Sequence, residues 1–135
     1  MAKATGIGGI FIRCKDEATM KKWYKDALGL DTNDYGVLFT FNSGKRRAGH
    51  LQLGTFPIHS DYFGNEMQQY MLNFRVDNLH ELVEHLKKMK VEIVDDIQSY
   101  DYGKFVHIID PDGNRVELWE PTDIGFDDET GVQMS

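Results

Sequence analysis

Four side chains have types and spacings suited to chemistry. His50 and Gln52 lie two residues apart in an extended-type run, so on a strand they point to one face. Farther along, Asp110-Pro111-Asp112-Gly113-Asn114 is a strong turn sequence. If that turn pairs Ile109 with Arg115, His107 stands opposite Glu117, again on one face. Imidazole beside carboxylate is an acid and base pair, with Glu117 as the general base. The same carboxylate can instead fix a cationic or hydroxylated ligand through a charge-assisted hydrogen bond. Imidazole and carboxylate are also the donors a divalent metal needs, so His50, Gln52, His107 and Glu117 are a candidate metal set if they converge. A plainer reading makes His50 a surface group at a strand start, His107 a pocket wall and Glu117 a hydrogen-bonded structural carboxylate.

Aromatic residues flank these positions. Trp119 faces the same way as Glu117 and is either a stacking wall for a ligand or core. Asp61-Tyr62-Phe63-Gly64 places two aromatics next to glycine in a connection, where Tyr62 and Phe63 form a pocket rim or lid, or else an anchor that pins the crossover to the sheet. The single cysteine, Cys14, lies in a strand with no base near it and reads as a buried, inert thiol. A phosphate-cradling glycine loop, a nucleophile elbow and an HExxH helix are all lacking, since Gly6-Ile7-Gly8-Gly9 precedes a strand rather than following one.

The elements that must carry these groups recur in order. Ile10 to Cys14 reads as a strand ending at Asp16, the N-cap of a helix whose stripe is Met20, Trp23, Tyr24, Ala27 and Leu28 and whose stop is Gly29. Trp23 and Tyr24 on that stripe are expected in the core. Extended candidates follow at Tyr35 to Leu38, Leu38 to Phe41 and, past Asn42-Ser43-Gly44, Leu51 to Phe56. Tyr70 to Val76 then begins a second pass, with Asn78 and Glu81 as a capping-box type pair and Leu79, Leu82, Val83, Leu86 and Met89 as the apolar stripe. Val91 to Val94, Phe105 to Ile109 and Val116 to Trp119 complete it. Ile12-Arg13-Cys14 superposes on Phe74-Arg75-Val76 at an offset of 62, and Leu51-Gln52-Leu53 on Val116-Glu117-Leu118 at 65. The chain is thus a duplicated βαβββ unit rather than a solenoid, whose shorter repeats need more copies.

Composition limits the setting. With 135 residues, 41% hydrophobic and 27% charged, and with eight Phe, six Tyr and two Trp, the chain has enough apolar area for one packed domain. A net charge of −7 disfavours nucleic acid and anionic membrane surfaces as partners, and Lys45-Arg46-Arg47 reads as a solvated loop. No run approaches the ~18 apolar residues of a membrane span, and the first residues lack the apolar stretch of a secretory signal. One cysteine suits a reducing compartment, so a cytoplasmic location is expected. The end, 122–135, is acidic without basic residues and reads as a flexible solubilising tail in which Phe126 alone is a docking candidate.

Gly8-Gly9-Ile10-Phe11 with Lys15-Asp16, Trp23-Tyr24 through Leu28-Gly29-Leu30, Asn73-Phe74-Arg75-Val76-Asp77, and above all Tyr102-Gly103-Lys104-Phe105 through Asp110 to Pro121 together resemble the vicinal oxygen chelate superfamily. That group holds glyoxalases, bleomycin and fosfomycin resistance proteins and extradiol dioxygenases. The likeness implies an α+β fold over residues 6–121. Two βαβββ modules (6–56 and 70–121), joined by a connection (57–69), form a cupped eight-stranded mixed sheet with helices on the convex side. It also implies a small-molecule ligand or substrate held in the concave face and a homodimer.

Enzymes of the superfamily hold a divalent metal on the first and fourth strands of each module. Carried onto this chain, those positions are Gly9, Gln52, Met71 and Glu117, and only Glu117 is a strong donor. No metal or other cofactor is therefore expected. Two functions remain open. One is a bleomycin-resistance-like protein that binds a small organic molecule without the usual metal. The other is a lyase, isomerase or hydrolase using Glu117 as base with His107 as its partner, with or without a displaced divalent metal at His50, His107 and Glu117. A weaker third reading is an interaction module.

Overall fold

The computed structural model describes residues 2–41 and 49–122. The turn at 42–44, the basic Lys45-Arg46-Arg47 and the tail from 123 onward, Phe126 included, lie outside the described residues. In chain order the elements are β1 (Ala4–Cys14), α1 (Glu17–Leu28), β2 (Gly36–Phe41), β3 (Gly49–Pro57), β4 (Tyr70–Val76), α2 (Leu79–Lys88), β5 (Gln98–Tyr100), β6 (Gly103–Ile109) and β7 (Arg115–Pro121). They form one mixed sheet in the order β2-β3-β1-β4-β7-β6-β5. β1 runs parallel to β3 and β4 parallel to β7, while β1 and β4 join antiparallel at the centre.

Seven described strands stand where eight were expected. The two candidates between Tyr35 and Phe41 are one strand, β2. Val91 to Val94 is not a strand and touches the sheet by a single bridge, Ile93 to Ile108. Gln98–Tyr100, too short and polar to stand out in sequence, pairs with β6 instead.

Caps behave as their residue types require. The Asp16 carboxylate accepts from the Thr19 amide at 3.2 Å, and Gly29 takes the left-handed conformation (φ 73) that ends α1. Asn78 accepts from the Glu81 amide at 3.1 Å, and Glu120, reaching across from β7, accepts from the Leu79 amide at 2.7 Å. That second bond satisfies another orphan donor of α2 and clamps the helix to the strand carrying Glu117.

The two helices differ in how they bury. Leu79, Leu82 and Val83 of α2 sink into a convex-side core with Val76, Val106 and Leu118. α1 contains no buried residue: Trp23 is 54% exposed, Tyr24 is half-buried, and the expectation that both belong to the core is corrected. Periodicity reports that a helix has an apolar face, not that anything covers it. Accordingly, Leu79→Ala should lower unfolding free energy by about 2–5 kcal/mol, as large-to-small core changes do. Trp23→Ser should stay within about 0.5 kcal/mol at protein concentrations that keep the chain monomeric, as surface changes do. Urea denaturation of both variants checks this, and comparable losses would contradict the asymmetry.

Candidate functional site

The sheet register sets one row of residues across six strands: Leu38, Gln52, Gly9, Asn73, Glu117 and His107 are successive cross-strand partners. The turn makes half of it. The Asp110 carboxylate accepts from the amides of Asp112 and Asn114, both at 2.9 Å, and Gly113 turns at φ 89, so Ile109 pairs with Arg115 and His107 with Glu117.

Glu117 is 2% exposed and surrounded by donors. Oε1 accepts from Asn73 Nδ2 at 2.6 Å. Oε2 accepts from the Tyr62 hydroxyl and faces His107 Nε2 at 2.9 Å. On its other side, His107 Nδ1 meets Asp95 Oδ2 at 2.7 Å, while the His107 amide donates to Asp95 Oδ1 at 2.8 Å. Burial, the strongest single influence on His107, pushes its pKa down. The hydrogen bonds and charges of Glu117 and Asp95 together outweigh it and leave the pKa above the ordinary value. A carboxylate oxygen at each ring nitrogen favours the imidazolium, the form in which both nitrogens donate. Tyr62 is held well above the usual phenol range, first by burial and then by the Glu117 charge, so it remains a donor.

The connection between the halves aims Tyr62. Phe63 is fully buried, with the Arg13 guanidinium 4.9 Å from its ring centroid. Arg13 also donates to the carbonyls of Ser60 (2.9 Å) and Glu66 (3.0 Å). Gly64, at φ 78, lies against the Arg115 guanidinium, which donates to the Tyr62 carbonyl at 3.2 Å. The Tyr62 ring then stacks on Phe56 at 5.4 Å and meets His107 edge-on at 5.1 Å.

The concave face is a trough of two adjoining cavities that share Phe11, Tyr102, Phe105 and Glu117. The inner one, of about 120 Å³, is walled by His50, Gln52, Asn73 and Trp119. The outer one, of about 650 Å³, is walled by Tyr62, Asp95, His107 and Arg115. His50 is therefore a buried cavity wall at 4% exposure and not a surface group. Trp119 is a wall as well, stacked on Phe105 at 5.9 Å with its indole N–H donating to the Tyr102 carbonyl at 3.1 Å. Phe63 is the anchor and lines neither cavity, whereas Tyr62 is the rim. Cys14 is buried, and burial raises its thiol pKa, in keeping with an inert role.

Two residues of this cluster, Asn73 and Asp95, lie outside the set the sequence predicts. Asn73 is the true counterpart of Gly9, because Gly9 pairs with Gln52 as Asn73 pairs with Glu117. Met71, fully buried, sits two residues away. The offset of 62 rests on matching Ile12-Arg13-Cys14 to Phe74-Arg75-Val76 beside the helix caps, and β1 uses two more residues than β4 between this row and its cap. Asp95 had only an apolar run before it as a signal. It reaches His107 because the Val94 amide donates to the His107 carbonyl at 2.8 Å and the Ile109 amide to that of Glu92 at 3.0 Å.

The positions implied for a metal do not form a site for one. A Cβ at Gly9 would already lie 2.9 Å from the Phe11 ring, Asn73, which holds the equivalent place, gives its amide nitrogen to Glu117, and Met71 two residues away offers only a thioether. Both nitrogens of His107 are taken by carboxylates. Among the described residues no group of three or more His, Cys, Asp and Glu is disposed to hold a metal ion.

No curated protein sequence matches this chain. Among solved structures, methylmalonyl-CoA epimerase from Mycobacterium tuberculosis is similar over 90% of this chain and 91% of its own, with 18% identity and a TM-score of 0.62. A methylmalonyl-CoA epimerase in complex with methylmalonyl-CoA and NH4+ matches over 90% and 98%, with 14% identity and a TM-score of 0.65. A superfamily member from Vibrio splendidus 12B01 matches over 90% and 100%, with 11% identity and a TM-score of 0.57. At such identities the likeness is one of fold. Residues 6–118 match the family model itself, and the chain belongs to the Glyoxalase/Bleomycin resistance protein/Dioxygenase superfamily.

Proposed function

We propose that this protein binds a small organic molecule in the trough of its sheet and does so without a metal ion. The tethering of Glu117 carries the reading. Asn73, His107 and Tyr62 occupy three of roughly four acceptor positions on the carboxylate, which makes it a fixed anionic wall rather than a mobile base. Aromatic faces from Phe11, Phe105 and Trp119 supply the apolar contact that a small ligand needs. The proposal includes a homodimer, supported by the uncovered Trp23 and Leu28 of α1. It also includes a cytoplasmic setting, supported by the lone buried cysteine. No described helix is long and apolar enough to cross a membrane.

A second reading is an isomerase, lyase or hydrolase. It is favoured by the chain of hydrogen bonds from Asp95 through His107 to Glu117 and by the fold likeness to epimerases. In that reading His107 is the acid and Glu117 the base.

Glu117→Gln separates the two. For a binding protein the substitution weakens ligand affinity at least tenfold, by compounds found in a ligand-observed NMR screen. For an enzyme it abolishes turnover while affinity stays within a few fold. Elemental analysis of purified protein is expected to show no stoichiometric divalent metal, and chelation is expected to leave binding unchanged. Stoichiometric metal whose removal abolishes activity would overturn the metal-free reading.

His107 also gives a pH signature. Its folded pKa is raised, so the stability it contributes is fully present below the unfolded value of about 6.5 and is lost as pH rises through the folded value. The unfolding free energy of wild type minus that of His107→Gln should therefore be largest near pH 6 and fall with increasing pH. A difference that grows with pH would refute the imidazolium assignment.

A further inference from the structure

The inner cavity contains two polar atoms that the fold leaves unanswered. Asn73 Oδ1 and Gln52 Oε1 are both buried and have no hydrogen-bond partner. Asn73 as a whole is 3% exposed. Neither oxygen can be exchanged for nitrogen by turning the amide over. Asn73 Nδ2 is already committed to Glu117 Oε1 at 2.6 Å, and Gln52 Nε2 faces the carbonyls of Tyr35 and Leu53 at 3.4 and 3.3 Å. A flipped amide would set oxygen against oxygen in either place.

Two glycines let the chain pack closely between them: a Cβ at Gly8 would lie 2.5 Å from Asn73 Oδ1 and 2.9 Å from the Trp119 ring, and one at Gly9 2.9 Å from the Phe11 ring and 3.0 Å from the Gln52 carbonyl oxygen. Both amides, with the Glu117 carboxylate, wall this cavity. A buried acceptor is unfavourable unless a donor reaches it, and this cavity holds acceptors on one side and aromatic faces on the other.

Resting on the reading that the trough binds a small organic molecule, we propose that the inner cavity takes an N–H-donating head group, a primary ammonium or amidinium, whose apolar body lies toward the outer cavity. Two unanswered amide oxygens beside a carboxylate suit a cation with two or more N–H donors and repel a carboxylate or phosphate. Phe11, Tyr102 and Phe105 add aromatic walls, and the Trp119 ring already carries the Arg75 guanidinium at 5.2 Å while stacking on Phe105, so the charge selection rests on the oxygens. The volume, about 120 Å³, approaches the ~150 Å³ of an apolar cavity that admits benzene, so the head is small.

Isothermal titration of the full-length protein with benzylamine, benzyl alcohol and benzoate tests this, because the three share a ring and differ in the head. Benzylamine should bind saturably and at least tenfold more tightly than benzyl alcohol, with benzoate weakest. Gln52→Met keeps the side-chain length and removes one acceptor. It should reduce benzylamine affinity at least fivefold and benzyl alcohol affinity by a smaller factor, while leaving the circular dichroism spectrum unchanged. Benzyl alcohol or benzoate binding as tightly as benzylamine would overturn the head-group assignment and leave the small-molecule reading standing, and so would an unaltered benzylamine affinity in Gln52→Met. Failure of all three probes to bind would overturn the assignment of this cavity, while the wider reading rests on Glu117→Gln and the screened compounds.

Discussion

A carboxylate buried in the middle of a sheet governs this structure. An ionised group removed from water is tolerated only when its oxygens are answered by donors, and Glu117 recruits them from three separate segments. Asn73 comes from the neighbouring strand, His107 from the strand beyond the turn, and Tyr62 from the connection between the two halves. Each donor constrains its own segment in turn. His107 draws in Asp95, which sits where it does because residues 92–94 cling to the edge of β6 by two backbone bonds. Tyr62 is delivered by a connection locked at Phe63, Gly64 and Gln68, the last of which bonds both the amide and the carbonyl of Arg115. The connection is thereby part of the site.

Parts of this arrangement were legible in the sequence for specific reasons. The Asp110 to Asn114 turn has strict chemistry and a known register, so the facing of His107 and Glu117 followed from counting. α2 was legible because a capped helix with a full apolar stripe has few alternatives. Other parts depend on what approaches from elsewhere in the chain, which one-dimensional spacing does not encode. The α1 stripe looks as core-like as that of α2, yet Trp23 faces outward because no sheet surface covers it. Asp95 becomes a partner of His107 through one isolated bridge, and such a bridge has no periodicity to announce it. The register of the first strands failed by two residues for a related reason: helix caps are strong sequence landmarks, but the length of strand between cap and site is free to vary.

Duplication explains why the two halves of the row came to differ. In the second half, Asn73 and Glu117 are parallel neighbours and the amide of one serves the carboxylate of the other. In the first half, the same two positions hold Gly9 and Gln52. Gly9 has nothing to donate, so Gln52, an uncharged isostere of glutamate, turns its amide nitrogen to backbone carbonyls and leaves its oxygen unanswered. The charged half of the row is internally satisfied, and the uncharged half opposite is short of donors. An asymmetry of this kind is available to a duplicated fold because one copy can bear the burden of a buried charge while the other carries neutral groups. The inner cavity takes its polar wall from both, the Glu117 carboxylate and Asn73 amide from one copy and the Gln52 amide from the other.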